Sequence, residues 1–105
     1  MSYDVYLEAA TGGEPATIWE RNHTSNTSGM WSEAGCDIAA FDGCSGAALG
    51  QAAHEAIMAI SSNVPKYRTM EPGNGWGTVE TTLAFLHDIH NACTRYPATT
   101  VRISR

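Results

Sequence analysis

The side chains in this 105-residue chain that could bind a metal, shuttle a proton or attack an electrophile are four histidines, three cysteines, eleven carboxylates and a scatter of hydroxyls. His87 and His90, with Asp88 between them, are spaced so that two imidazoles can share one helix face and ligate a metal ion. No cysteine or carboxylate stands at a local spacing that would close such a site. His54-Glu55 begins like the zinc-protease motif, but that chemistry needs a second histidine where the chain has Met58. Asp42-Gly43-Cys44-Ser45-Gly46 superficially resembles a nucleophile elbow, with Cys36, Cys44 or Ser45 as nucleophile and a histidine as base. An elbow requires G-x-S-x-G after a buried strand of a large parallel sheet, which this chain is too short to build. The segment reads instead as a turn followed by a helix cap. Gly73-Asn74-Gly75-Trp76-Gly77 lacks the Lys-Ser/Thr pair of a phosphate loop. These readings leave no catalytic set, no metal set and no cofactor motif.

Two loops, 22–31 and 66–77, carry the remaining chemistry. The first contributes Asn22, Thr24, Ser25, Asn26 and Trp31; the second contributes Tyr67, Arg68, Asn74 and Trp76. Amides and hydroxyls supply oriented donors and acceptors, Trp and Tyr supply flat faces for stacking, and a guanidinium holds an anion by two parallel hydrogen bonds. That combination suits a nucleotide-like ligand. The competing structural reading has Trp31 and Trp76 plugging the ends of a small core, with the Asn and Thr residues capping helices.

The elements that must position these loops follow from periodicity. In 3–9, Val5, Leu7 and Ala9 alternate with Asp4, Tyr6 and Glu8, the pattern of a half-buried strand. A second strand-like run covers 16–21, and Gly12-Gly13 between them predicts a hairpin turn with positive φ. A short helix is expected to end near Gly35. Ser45 is placed to cap a longer one reaching about Asn63, with Leu49, Ala53, Ala56, Ile57 and Ile60 inward. Pro65 is expected to end it, leaving 66–77 irregular. Thr78 opens a third helix with Val79, Leu83, Leu86, Ile89, Cys93 and Tyr96 on one face, stopped by Pro97. Residues 99–104 alternate again, Val101 and Ile103 inward. The expected fold is one α+β domain over residues 1–105: a β-hairpin, three helices and a C-terminal strand, forming a small, mostly antiparallel three-stranded sheet with the helices on one face. Helices packed antiparallel in sequence order would set the first and third pointing the same way, bringing the two loops to one end. Free backbone N–H groups there would favour an anion.

Composition limits the partners. The formal charge is −5, and Lys66 is the chain's one lysine. No basic stripe exists to displace counterions from a nucleic acid. Residues 1–55 hold eight carboxylates against Arg21 alone, whereas Lys66, Arg68, Arg95, Arg102 and Arg105 outnumber Glu71, Glu80 and Asp88 in the remainder. An anionic ligand is therefore expected in the second half. No apolar run approaches a membrane span, the first residues lack the pattern of a signal peptide, and three cysteines without a C-x-x-C pair suit reduced thiols. A cytoplasmic protein is expected. Asp4, Tyr6, Glu8 and Arg102 fall on the sheet face away from the helices, a surface for solvent or for a homodimer.

Met-Ser-Tyr-Asp-Val-Tyr-Leu-Glu at the start, Arg-Asn-His-Thr-Ser-Asn at 21–26, Met30-Trp31, Asn74-Gly75-Trp76-Gly77 and the final Thr-Thr-Val-Arg-Ile-Ser-Arg resemble small uncharacterised proteins encoded by actinobacterial phages. The resemblance spans nearly the whole chain and carries no activity with it. It implies an accessory protein working in the cytoplasm of an infected bacterial host. The leading expectation is a non-enzymatic protein, without cofactor, that sequesters a small polar or nucleotide-derived ligand and so counters host defence signalling. The alternatives are a protein-interaction module that inhibits a host protein, and a small nucleotide-modifying enzyme using His23, His54, His87 or His90 as base.

Overall fold

The structure, a computed structural model, describes residues 2–105. Strand β1 (Ser2–Ala9) turns into β2 (Ala16–Thr24) through a hairpin in which Gly12 adopts φ +84° and the Thr11 hydroxyl donates to the Glu14 carbonyl at 2.6 Å. A 3-10 turn (Ser25–Thr27) leads into α1 (Ser28–Glu33), which ends at Gly35 with φ +99°. A second 3-10 turn (Ile38–Phe41) precedes α2 (Gly46–Ser62). A short α3 (Val64–Arg68), the long α4 (Val79–Arg95) and β3 (Thr100–Ser104) complete the chain. The sheet has the order β2-β1-β3 with both pairings antiparallel, so the chain is the expected α+β fold.

Two boundaries and one buried face differ from the sequence expectation. Strand β2 continues to Thr24, because Asn22, His23 and Thr24 still pair with Asp4, Tyr3 and Ser2. Polar residues extend it since only one face of an edge strand needs apolar contact. Pro65 does not end helical structure. It occupies the first turn of α3, where a missing N–H costs nothing, so Lys66, Tyr67 and Arg68 are helical rather than irregular. On α4 the buried stripe runs through Val79, Thr82, Phe85, Leu86, Ile89, Ala92 and Cys93, leaving Leu83 and Tyr96 only partly covered.

The core lies between the sheet and the helices. Tyr3, Val5, Leu7 and Val101 point into it from the strands, and the full inward row expected on α2 is buried. Helices α2 and α4 approach closely because Gly50 faces Cys93: a Cβ on Gly50 would lie 2.7 Å from the Cys93 Cβ. The caps are those the residue types predict. Ser45 accepts from the Ala48 N–H at 3.1 Å, and Thr78 with Thr81 forms a reciprocal capping box. Asp42-Gly43-Cys44 is neither an elbow nor a bare turn. Val101 N–H donates to the Cys44 carbonyl at 2.8 Å, Gly43 N–H to the Val101 carbonyl at 2.8 Å, and Ile103 N–H to Asp42 Oδ1 at 3.0 Å. The segment closes the outer edge of β3.

Candidate functional site

The two loops meet at the point where α1 and α4 begin. Gly77, at φ +114°, leaves so little space that a Cβ there would sit 2.6 Å from Thr27 Cγ2, so a residue with a side chain could not bring the loops this close. Asn26 Nδ2 donates to the Trp76 carbonyl at 3.4 Å, and Trp76 N–H donates to Asn74 Oδ1 at 2.9 Å. These bonds pin the backbone of Trp76 from both loops while the residue stays 70% exposed. The ring borders an open groove of about 520 Å³ whose other walls are Ser2, Asn22, Thr24 and Asn26.

Each wall residue has a local reason for its place. Asn22 and Thr24 lie on the outward face of β2, and Asn22 Nδ2 donates to Asp4 Oδ1 at 2.8 Å across the ladder. Thr24 caps the 3-10 turn by accepting from Asn26 N–H at 3.2 Å. Ser2 pairs directly with Thr24. Ser25 belongs to an adjoining depression of about 360 Å³, shared with Ser2, Tyr3, Ser28 and Arg105. Ser2 joins the two hollows, so the adjoining one adds the Arg105 cation to this polar surface.

The other residues expected in the site have different positions. Trp31 is fully buried, with Tyr3 edge-on at 5.3 Å and Phe85 at 5.4 Å, so its ring offers no face to a ligand. Its indole N–H has no hydrogen-bond partner among the described residues. Tyr67 is likewise part of the core. Arg68 is committed to carboxylates: Nη1 and Nη2 bind Glu80 at 2.7 and 2.9 Å, and Nη1 also reaches Glu71 at 3.1 Å. The hydrogen bond to Glu80 pushes the guanidinium pKa up and holds the Glu80 carboxyl below the usual carboxylate range. The anion expected at the start of α4 is the protein's own, since Glu71 accepts from Val79 N–H at 2.8 Å. Trp31, Tyr67 and Arg68 therefore serve packing and ion pairing, whereas Asn22, Thr24, Asn26 and Trp76 share one groove and Asn74 supports it.

Ser2 and Arg105 escaped the sequence reading because β2 was expected to stop at Arg21. Carrying the alternation on through Asn22 and Thr24 would have paired Ser2 with the site and drawn attention to this end of the sheet.

Of the groups with intrinsic reactivity, Cys36, Cys93 and His23 are taken up by packing. Burial, followed by the nearby Asp37 and Cys93, raises the Cys36 thiol to about 12, and burial raises Cys93 to about 11, so neither supplies a thiolate near neutral pH. His23 stacks on Phe85 at 4.5 Å, and burial and then Arg21 lower its pKa to about 4. His54 and His90 face each other from α2 and α4 with ring centroids 5.2 Å apart, and His90 Nδ1 lies 3.2 Å from the Gly50 carbonyl. No helix among the described residues is long and apolar enough to cross a membrane.

The fold and groove define a small α+β domain with a polar, tryptophan-bordered hollow where two loops converge. No protein-family model matches the chain, and comparison with curated proteins and with solved structures finds no significant similarity.

Proposed function

We propose that the protein is a non-enzymatic binder of a small polar ligand carrying a flat ring, of the nucleotide class, held against Trp76. The observation behind this reading is the combination of an exposed indole with a backbone fixed by Asn26 and Asn74. An indole held beside polar walls offers a flat apolar face on which a ring can stack while its edge is hydrogen-bonded. The ring stacks on Trp76, an interaction worth about 1–3 kcal/mol per base. Asn22, Thr24 and Asn26 hydrogen-bond its polar edge. Arg105, rather than the committed Arg68, meets an acidic group. The likeness to small phage proteins supports a role in the cytoplasm of an infected bacterium, where the bound ligand is a nucleotide-derived defence signal withheld from its host effector.

The test is calorimetric titration with a panel of nucleotides, cyclic dinucleotides and cyclic ADP-ribose isomers. At least one should bind and return unaltered. Trp76→Ala should weaken that binding at least about tenfold with the melting temperature unchanged, because the ring contributes stacking but almost no packing. Binding by none of the panel, or undiminished binding to Trp76→Ala, would overturn the reading.

A further inference from the structure

The two edges of the sheet differ. The outer edge of β3 is closed by Asp42-Gly43-Cys44. The outer edge of β2 has no backbone partner among the described residues. Its protection as an edge is partial: Glu20 and the inward Arg21 are charged, and the Arg21 guanidinium donates to the Asn22 carbonyl, but the strand holds neither Pro nor Lys, and its bulge lies toward its beginning, opposite Leu7/Glu8. From Trp19 to Thr24 the register is unbroken, which leaves a regular template for another strand.

A cleft of about 300 Å³ runs beside this edge, between β2 and α4, walled by Trp19, Arg21, Asp88, Asn91, Arg95 and Tyr96. A strand added to β2 would lie about 4.8 Å outside it and send every second side chain toward this cleft. The charges of the cleft are unequal. Arg21 is matched by Asp88 at 2.9 Å, but Arg95 makes no ion pair among the described residues and lies over the Tyr96 ring at 5.4 Å. Past Arg95 and Tyr96 a second depression of about 440 Å³ continues between Ala9, Ala10, Pro97 and Ala98. It leaves room for small apolar side chains.

We propose that the β2 edge and the cleft beside α4 bind an extended acidic peptide by strand addition, with a peptide carboxylate meeting Arg95. A second copy of this chain fits less well. Antiparallel pairing of two β2 strands about a two-fold axis keeps each face of the sheet on its own side. The copy's strand would then turn Trp19, Arg21 and His23 toward the cleft and leave Glu20 on the opposite face, so it would bring the Arg21 cation and no carboxylate of its own toward Arg95.

The proposal is tested by panning a display library of short random peptides on the purified protein, then titrating an enriched peptide into isotopically labelled protein. Enriched sequences should carry Asp or Glu at one fixed position among β-branched residues, and amide shifts should concentrate in 16–24 and 88–96. Arg95→Glu, at an exposed position, should weaken the peptide at least about tenfold, Arg95→Lys much less, and Trp76→Ala not at all. This last variant separates the peptide site from the nucleotide groove. Absence of an acidic preference, insensitivity to Arg95→Glu, shifts centred on Trp76, or a concentration-dependent dimer with protected β2 amides would each overturn the proposal.

Discussion

His23 shows how one residue can belong to the core while looking, in sequence, like a loop base. It sits on the inward side of β2, stacked on Phe85 at 4.5 Å and 3.4 Å from the Thr27 hydroxyl. Burial first, and Arg21 second, lower its pKa from 6.5 to about 4. The unfolded chain therefore binds more protons than the folded one between those values. Stability from this residue is complete above pH 6.5 and is lost as the pH falls toward 4. Allowing for partial exposure, the loss is on the order of 2 kcal/mol. Urea unfolding at pH 7 and pH 4.5 should reveal it, and His23→Gln should flatten the difference. His23 belonged to the polar run read as a loop because a histidine stacked inside a core cannot be distinguished from an exposed one without knowing which strand face it occupies.

At the scale of elements, the contact between α2 and α4 depends on a missing side chain. Ala at position 50 would improve helix propensity by about 1 kcal/mol, but its Cβ would fall 2.7 Å from the Cys93 Cβ, a position fixed by the facing helix. Overpacking of this kind costs about 1–3 kcal/mol. Gly50→Ala should therefore lower the urea midpoint despite the better propensity, with a net loss of about 1 kcal/mol. The Ala- and Gly-rich composition of α2 permits this close packing. It did not identify the partner, because several helices could have occupied that face. The same limit applied to Asp42-Gly43: a turn was legible, whereas its service as a cover for β3 depends on the last strand returning beside it.

For the molecule as a whole, the uneven charge of the two halves becomes a set of bridges. Arg21 joins Asp88, Lys66 joins Glu33 and Arg102 joins Glu8, each pair linking the acid-rich first half with the second. All have substantially exposed partners, so they orient the surface more than they stabilise the fold. Salt weakens these attractions and also screens the repulsion of a net −5 chain. Raising sodium chloride from low to high concentration should shift the melting temperature by less than about 3 °C. The chain's order of residues, by alternation, helical spacing and cap chemistry, determined the fold class, the three strands apart from the end of β2, and both long helices, since these depend on near neighbours. Tertiary structure alone decided that Trp31 and Tyr67 go inward, that Arg68 closes on Glu80, that Trp76 stays outside beside Asn22, Thr24 and Asn26, and that β2 keeps the open edge. Those outcomes depend on distant segments competing for the same space and the same charges, and local sequence does not record which segment wins.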